Sequence, residues 1–159
     1  MTAPDVNRSE PASTPDERAL LEGWLDYYRA TLLHKCAGLT PDQLAERSCP
    51  PSTMSLIGLV RHLTEMERVY AQKLVEPSIQ LYYVTPQNQD ADFADVDPGT
   101  VADDLGRYTE HCARSREVMA GLPLEETLRW HYLYLVKEYA RHLGHADLLR
   151  ERIDGATGE

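Results

Sequence analysis

Four stretches of apolar residues at helical spacing, no stretch of strand period and a single long irregular connection predict an all-α fold, a four-helix bundle with a long crossover. Thr14-Pro15-Asp16-Glu17 offers a capping hydroxyl, a proline at the first helical position and a glutamate able to reach back to the cap, so the first helix is expected to open there. Its apolar stripe runs Leu20, Leu21, Trp24, Leu25, Tyr28, Leu32 and stops near Gly38. Thr40-Pro41-Asp42-Gln43 repeats the start signal and predicts a connector of about two turns before the breaker Pro50-Pro51. The second long helix is expected from Ser55 to Val75, with Leu56, Leu59, Val60, Leu63, Met66, Tyr70 and Leu74 on one face and Pro77 ending it. Residues 77–99 carry little periodicity and three prolines, a connection longer than compact domains usually keep without a purpose such as covering a site. Thr100 is expected to cap a third helix reaching Ala120 before Gly121, and the fourth runs from Thr127 to Ile153.

The chain has 159 residues, enough for one domain with a real core. The expected organisation is a flexible N-terminal segment over 1–14, one bundle domain over 15–153 and a flexible C-terminus over 154–159. Hydrophobic residues are 42% and charged residues 26%, and no apolar run reaches the roughly 18 residues of a membrane span. The N-terminus lacks the basic start and apolar stretch of a secretory signal, so a cytoplasmic location is expected. Cys36, Cys49 and Cys112 form no CxxC pair, and their odd number speaks for reduced thiols. A formal charge of −10 repels phosphate backbones, and no cluster of Lys and Arg with interleaved aromatics offsets it, which excludes nucleic acid as an expected partner.

The chemistry-bearing residues lie on the fourth helix. Leu128, Leu135, His142 and Leu149 fall at seven-residue intervals beside the row Tyr132, Tyr139, Ala146, Ile153, so His142 sits in an apolar row. Glu138 lies one turn before it, displaced by roughly 40° about the axis, and His145 lies about 60° to the side. A histidine on a core face is more often a structural one with both nitrogens satisfied, whereas a Glu-x-x-x-His pair raises the metal reading, because bundle metal sites use inward side chains one turn apart. A third ligand has to come from another helix, and His62 borders the apolar face of the second. The competing reading is a hydrogen-bonded trio that only fixes helix packing. His34, His111 and His131 read as solvated or interfacial.

Several segments resemble the DinB/YfiT-like superfamily of metalloenzymes, in particular its actinobacterial branch of unknown function. They are Trp24-Leu25-Asp26-Tyr27-Tyr28-Arg29-Ala30-Thr31-Leu32, Ser55-Leu56-Ile57-Gly58-Leu59-Val60-Arg61-His62-Leu63, Glu67-Arg68, Asp90-Ala91-Asp92-Phe93 and the run from Glu138 to Glu151. The resemblance implies a four-helix bundle, commonly dimeric, with a metal held by His62, Glu138 and His142. Many relatives have histidine at position 138, but the His, Glu, His set of mycothiol-dependent maleylpyruvate isomerases matches the carboxylate here. His145 stands where other relatives carry glutamine and is expected as an alternate or supporting ligand. Tyr134 replaces a histidine common in the branch.

Two imidazoles and a carboxylate suit a borderline divalent ion such as zinc or nickel and leave coordination positions open. The resemblance implies a low-molecular-weight thiol cosubstrate, mycothiol or bacillithiol, and a transferase or isomerase acting on a small electrophile. A metal-dependent hydrolase and a non-catalytic, stress-linked metal-binding or interaction protein are the alternatives. Arg141 and Asp147 flank the pair, with a solvated role the simpler one for Arg141. Tyr82, Tyr83 and Phe93 of the long loop are expected either at the site entrance or packed beneath the loop.

Overall fold

The structure, a computed structural model, describes residues 2, 3 and 6–157. Its elements are α1 (Glu17–Cys36), α2 (Pro41–Ala45), α3 (Leu56–Tyr70), a 3-10 turn at Gln72–Leu74, α4 (Ala91–Ala94), a second 3-10 turn at Pro98–Thr100, α5 (Val101–Ala120) and α6 (Glu126–Asp154). The protein is an all-α bundle, as expected, with α1, α3, α5 and α6 as its long helices. Among the described residues the only strand-like pairing is an isolated bridge between Thr85 and Asn88. No helix among them is long and apolar enough to cross a membrane.

Local chemistry sets the helix ends. Asp16, rather than Thr14, caps α1 by accepting from the Ala19 N–H, because its shorter reach to the first turn leaves Thr14 Oγ1 to take the Asp16 N–H instead. Thr40 and Gln43 form the reciprocal capping box of α2, and Ser55 caps α3 through the Gly58 N–H. The second long helix, α3, is shorter than its pattern suggests: after Tyr70 the chain tightens into the 3-10 turn, where Gln72 turns inward and donates to the His111 carbonyl. Thr100 does not cap α5 by its side chain; Asp97 and the preceding 3-10 turn start that helix. Gly155, at φ +78°, supplies the left-handed residue that ends α6.

Helix α3 packs against α5, α6 and α1, and so stands at the centre of the bundle. Leu25, Leu32, Leu59, Leu63, Tyr108, Tyr132, Leu135 and Tyr139 fill the core between these helices. A polar knot crosses it. Arg29 donates through Nε and Nη2 to both oxygens of Glu67, at 2.8 and 2.7 Å, and the Tyr139 hydroxyl donates to Glu67 Oε1 at 2.8 Å. All three side chains are buried, so α1, α3 and α6 are tied by one satisfied ion pair.

The long crossover is fastened to α3 rather than draped over it. Glu65 Oε1 accepts the N–H groups of Tyr82 and Tyr83, Arg68 donates to the Gln80 carbonyl, and Arg61 donates to the carbonyls of Ala91 and Asp95. These contacts explain why Arg61, Glu65 and Arg68 are buried despite their charge. His111, expected at a surface, is buried as well. Its Nδ1–H donates to Gln72 Oε1, and Nε2 accepts from Arg68 Nη1 and the Tyr82 hydroxyl, each at 3.0 Å.

Removing one partner of the Arg29–Glu67 pair strands a buried charge. Glu67→Ala is expected to lower the unfolding free energy by about 3–5 kcal/mol in denaturant titration, and a joint Arg29→Met, Glu67→Leu exchange to lower it by less. Burial, and then the Arg68 charge, hold the His111 pKa below its ordinary 6.5. Protonation therefore favours the unfolded chain: this contribution to stability is complete above about pH 6.5 and is lost as pH falls toward the depressed folded value. Unfolding free energies at pH 7.5 and 5.5 should differ less in His111→Gln than in the wild type.

Candidate metal centre

His62, Glu138 and His142 meet where α3 crosses α6. The amphipathic period of α6 explains the pair: Leu135, Tyr139 and His142 point into the bundle, and Glu138 lies at the margin of that stripe, one turn before His142. His62 lies at the edge of the buried face of α3, as its position beside Leu63 and Leu59 implies. One ligand-type atom from each of the three residues lies within 4.8 Å of the other two. Glu138 Oε2 is 3.8 Å from His62 Nε2 and 3.5 Å from His142 Nε2. The His62 and His142 ring centroids are 4.6 Å apart.

Each residue is held from outside the cluster. His62 Nδ1 is 2.8 Å from Asp92 Oδ2; a carboxylate has no proton to give, so the ring nitrogen donates and Nε2 keeps its lone pair. Glu138 divides its oxygens, with Oε1 2.6 Å from Lys137 Nζ and Oε2 turned to the two imidazoles. The Lys137 ammonium also lies 3.7 Å above the Tyr134 ring, which stacks on Tyr70. His142 Nδ1 faces His145 Nδ1 at 3.3 Å, at the ring nitrogen opposite the one that faces Glu138. His145 therefore stands behind His142. Phe93, from α4, stacks on His62 with centroids 4.7 Å apart and planes at 27°.

Electrostatics keeps His142 and Glu138 in their acceptor forms. Burial, and next the neighbouring His62, push the His142 pKa down to about 4, so its imidazole is neutral at pH 7. Burial works to raise the Glu138 pKa, but the Lys137 hydrogen bond and the nearby imidazoles outweigh it and hold the carboxyl below its usual range. The carboxylate is thus ionised. His62 Nε2 is buried and has no hydrogen-bond partner.

Two ring nitrogens and an ionised oxygen facing one another form a donor set that fits a divalent ion. Tetrahedral zinc with bonds of about 2.0–2.1 Å places its ligand atoms about 3.3 Å apart, which the 3.5 and 3.8 Å separations approach within a small side-chain movement. His111, by contrast, uses both of its ring nitrogens within the protein.

The other expected residues fall elsewhere. Tyr82 and Tyr83 lie over the guanidinium groups of Arg68 and Arg61, at 3.9 and 4.3 Å, whereas Phe93 alone of the three loop aromatics stacks on a cluster ring. Asp147 pairs with Lys35 at 2.7 Å and Arg141 is exposed. Lys137, on the outer side of α6, had no sequence signal of its own, and Asp92, in a loop without periodicity, had none beyond its place in the resembling segment Asp90-Ala91-Asp92-Phe93. A carboxylate beside an aromatic inside a long loop is the nearest such cue.

A family model described as mycothiol-S-transferase matches residues 20–155. No curated protein and no solved structure matches the chain.

The acceptor cluster predicts that zinc stabilises the protein. At a free concentration about 100 times its dissociation constant the ion should add about 2.7 kcal/mol to the unfolding free energy of metal-free protein. Glu138→Ala should show little of that gain in parallel thermal melts, and equal gains in the two proteins would remove the cluster from consideration.

Proposed function

The chain belongs to the mycothiol-S-transferase family, within the DinB/YfiT-like superfamily, and from that membership we propose that it is a metal-dependent thiol S-transferase or isomerase acting on a small electrophile. In this reading His62 Nε2, Glu138 Oε2 and His142 Nε2 hold a divalent ion, zinc or nickel by donor type. Once bound, the ion supplies positive charge that lowers the pKa of a thiol beside it, making the thiolate available at neutral pH. The convergence of one ligand-type atom from each of His62, Glu138 and His142 is the observation that carries the proposal.

The cysteines of the chain argue for an external thiol. Burial pushes the Cys36 thiol up to about 12, and burial, then the Glu67 charge, does the same for Cys112. Both stay protonated and inert at neutral pH. Cys49 Sγ lies 3.7 Å from the Leu148 carbonyl, near the end of α6, and belongs to no metal-ligating group. By the family, the nucleophile is a low-molecular-weight cosubstrate, mycothiol, with bacillithiol as its chemical analogue. Its sulfur forms a bond to an electrophilic carbon, its proton passes to water, and in a transfer the displaced group departs with the bonding electrons.

The residues around the cluster have roles in binding and orientation. Lys137 occupies Glu138 Oε1, which favours a single-oxygen ligand and leaves room for substrate. Phe93 covers one face of His62 and excludes water from that side. His145 can accept the Nδ1 proton of His142 and so directs Nε2 inward. A homodimer is the assembly that the resemblance implies, and Trp130, Leu133 and Leu148, each more than half exposed on α6, are the apolar surface available to it.

Purified protein supplied with zinc, mycothiol and an electrophile such as a chlorinated dinitrobenzene should consume thiol only when metal and protein are both present. His142→Ala should reduce that rate at least about 100-fold, as loss of a metal-supplied charge implies, while Cys49→Ala leaves it unchanged. Hydrolysis of activated esters without thiol would favour the metal-dependent hydrolase instead. Inactivity with no metal retained would favour the non-catalytic binding protein.

A further inference from the structure

The crossover loop reaches the cluster through one carboxylate. Asp92 lies in α4 and is 2% exposed, an uncommon burial for an aspartate. Its Oδ1 accepts the Phe93 N–H at 3.0 Å, which fixes the carboxylate plane, and its Oδ2 takes the Nδ1–H of His62 at 2.8 Å. The nearest strong cation does not neutralise it: Arg61, the residue before His62, spends its guanidinium on the carbonyls of Ala91 and Asp95, on either side of Asp92. Consecutive side chains of α3 thus grip the backbone and the carboxylate of the same short helix. Gly58, one turn earlier, lets that helix come close, since a Cβ there would lie 3.2 Å from Ser55 Oγ and 3.4 Å from Phe93 Cα.

On the metal reading given above, we propose that Asp92 is the positioning residue of His62. It fixes the ring as the Nδ1–H tautomer, aims the Nε2 lone pair at Glu138 and His142, and makes the crossover loop a determinant of metal affinity. The two carboxylates then lie on opposite sides of His62, one facing the ion position and one behind its ligand. His62 Nε2 is buried without a hydrogen-bond partner among the described residues. The hydrogen bond to a carboxylate also makes the imidazole a stronger donor to a metal, a role that loop packing alone would not require.

Two measurements on the full chain test this. The first is long-range proton–nitrogen NMR of metal-free protein, with the His62 signals assigned by comparison with His62→Gln. The wild type should show the Nδ1–H tautomer, and Asp92→Ala should show a mixture in which Nε2–H is populated. The second is zinc affinity by competition with a chromophoric chelator. Asp92→Ala should bind about 10–100-fold more weakly, and Asp92→Asn, whose amide oxygen can still accept the Nδ1–H, should recover part of the loss. Asp95→Ala, at an exposed carboxylate that meets only the Asn88 amide, should bind like the wild type. Wild-type affinity in a folded Asp92→Ala protein, or a wild-type His62 protonated at Nε2, overturns the proposal. If Asp92→Ala fails to fold, Asp92→Asn and the wild-type tautomer still decide. A wild type that binds no zinc, with His142→Ala indistinguishable from it, overturns the metal reading, and the metal-free tautomer then separately shows whether Asp92 orients His62.

Discussion

Three hydrogen-bond acceptors point at one another between α3 and α6, and an arrangement of that kind is unfavourable in a protein interior unless something positive joins it. His62 Nε2 and His142 Nε2 bring lone pairs, and Glu138 Oε2 brings charge. Helices that pack through apolar side chains need no such cluster. Its presence, with the opposite nitrogen of each imidazole already engaged, is what turns a helical bundle into a candidate metalloenzyme.

The surrounding fold reads as the means of holding that geometry. Helix α3 is central, and the same helix carries the cluster residue His62, the loop anchors Arg61, Glu65 and Arg68, and the core anion Glu67. Arg29 and Tyr139 pin Glu67, which fixes α3 against α1 and α6 at the level just beyond Glu138. Movement of α3 along its own axis would therefore disturb the ion pair, the loop contacts and the cluster together. Coupled in this way, the polar interior provides orientation that apolar packing alone would leave loose.

The helices were legible because their signals are local. The capping box at Thr40 and Gln43 and the helix start at Ser55 act over a few residues and need no tertiary partner. Where a distant contact decides, the pattern misleads: the apolar stripe of α3 continues past Tyr70, yet the chain tightens because Gln72 is drawn to His111. The same holds at the cluster. Glu138 and His142 announce themselves by spacing on one helix, and His62 by its place at the edge of another. Asp92 sits thirty residues from His62 in an aperiodic loop, and no spacing rule links the two; only the folded crossover does. His111, among charged neighbours on α5, reads as a surface residue until the loop brings Tyr82 over it.

The chemistry proposed depends on a cation occupying the point that the three acceptors surround, and one measurement addresses that point directly. A crystal structure of zinc-loaded protein with anomalous data collected on both sides of the metal edge locates the ion without reference to activity. The account predicts a single strong anomalous peak about 2.0–2.2 Å from His62 Nε2, Glu138 Oε2 and His142 Nε2, with Asp92 still on His62 Nδ1. An ion found elsewhere, or bound through His62 Nδ1 with Asp92 displaced, would contradict it.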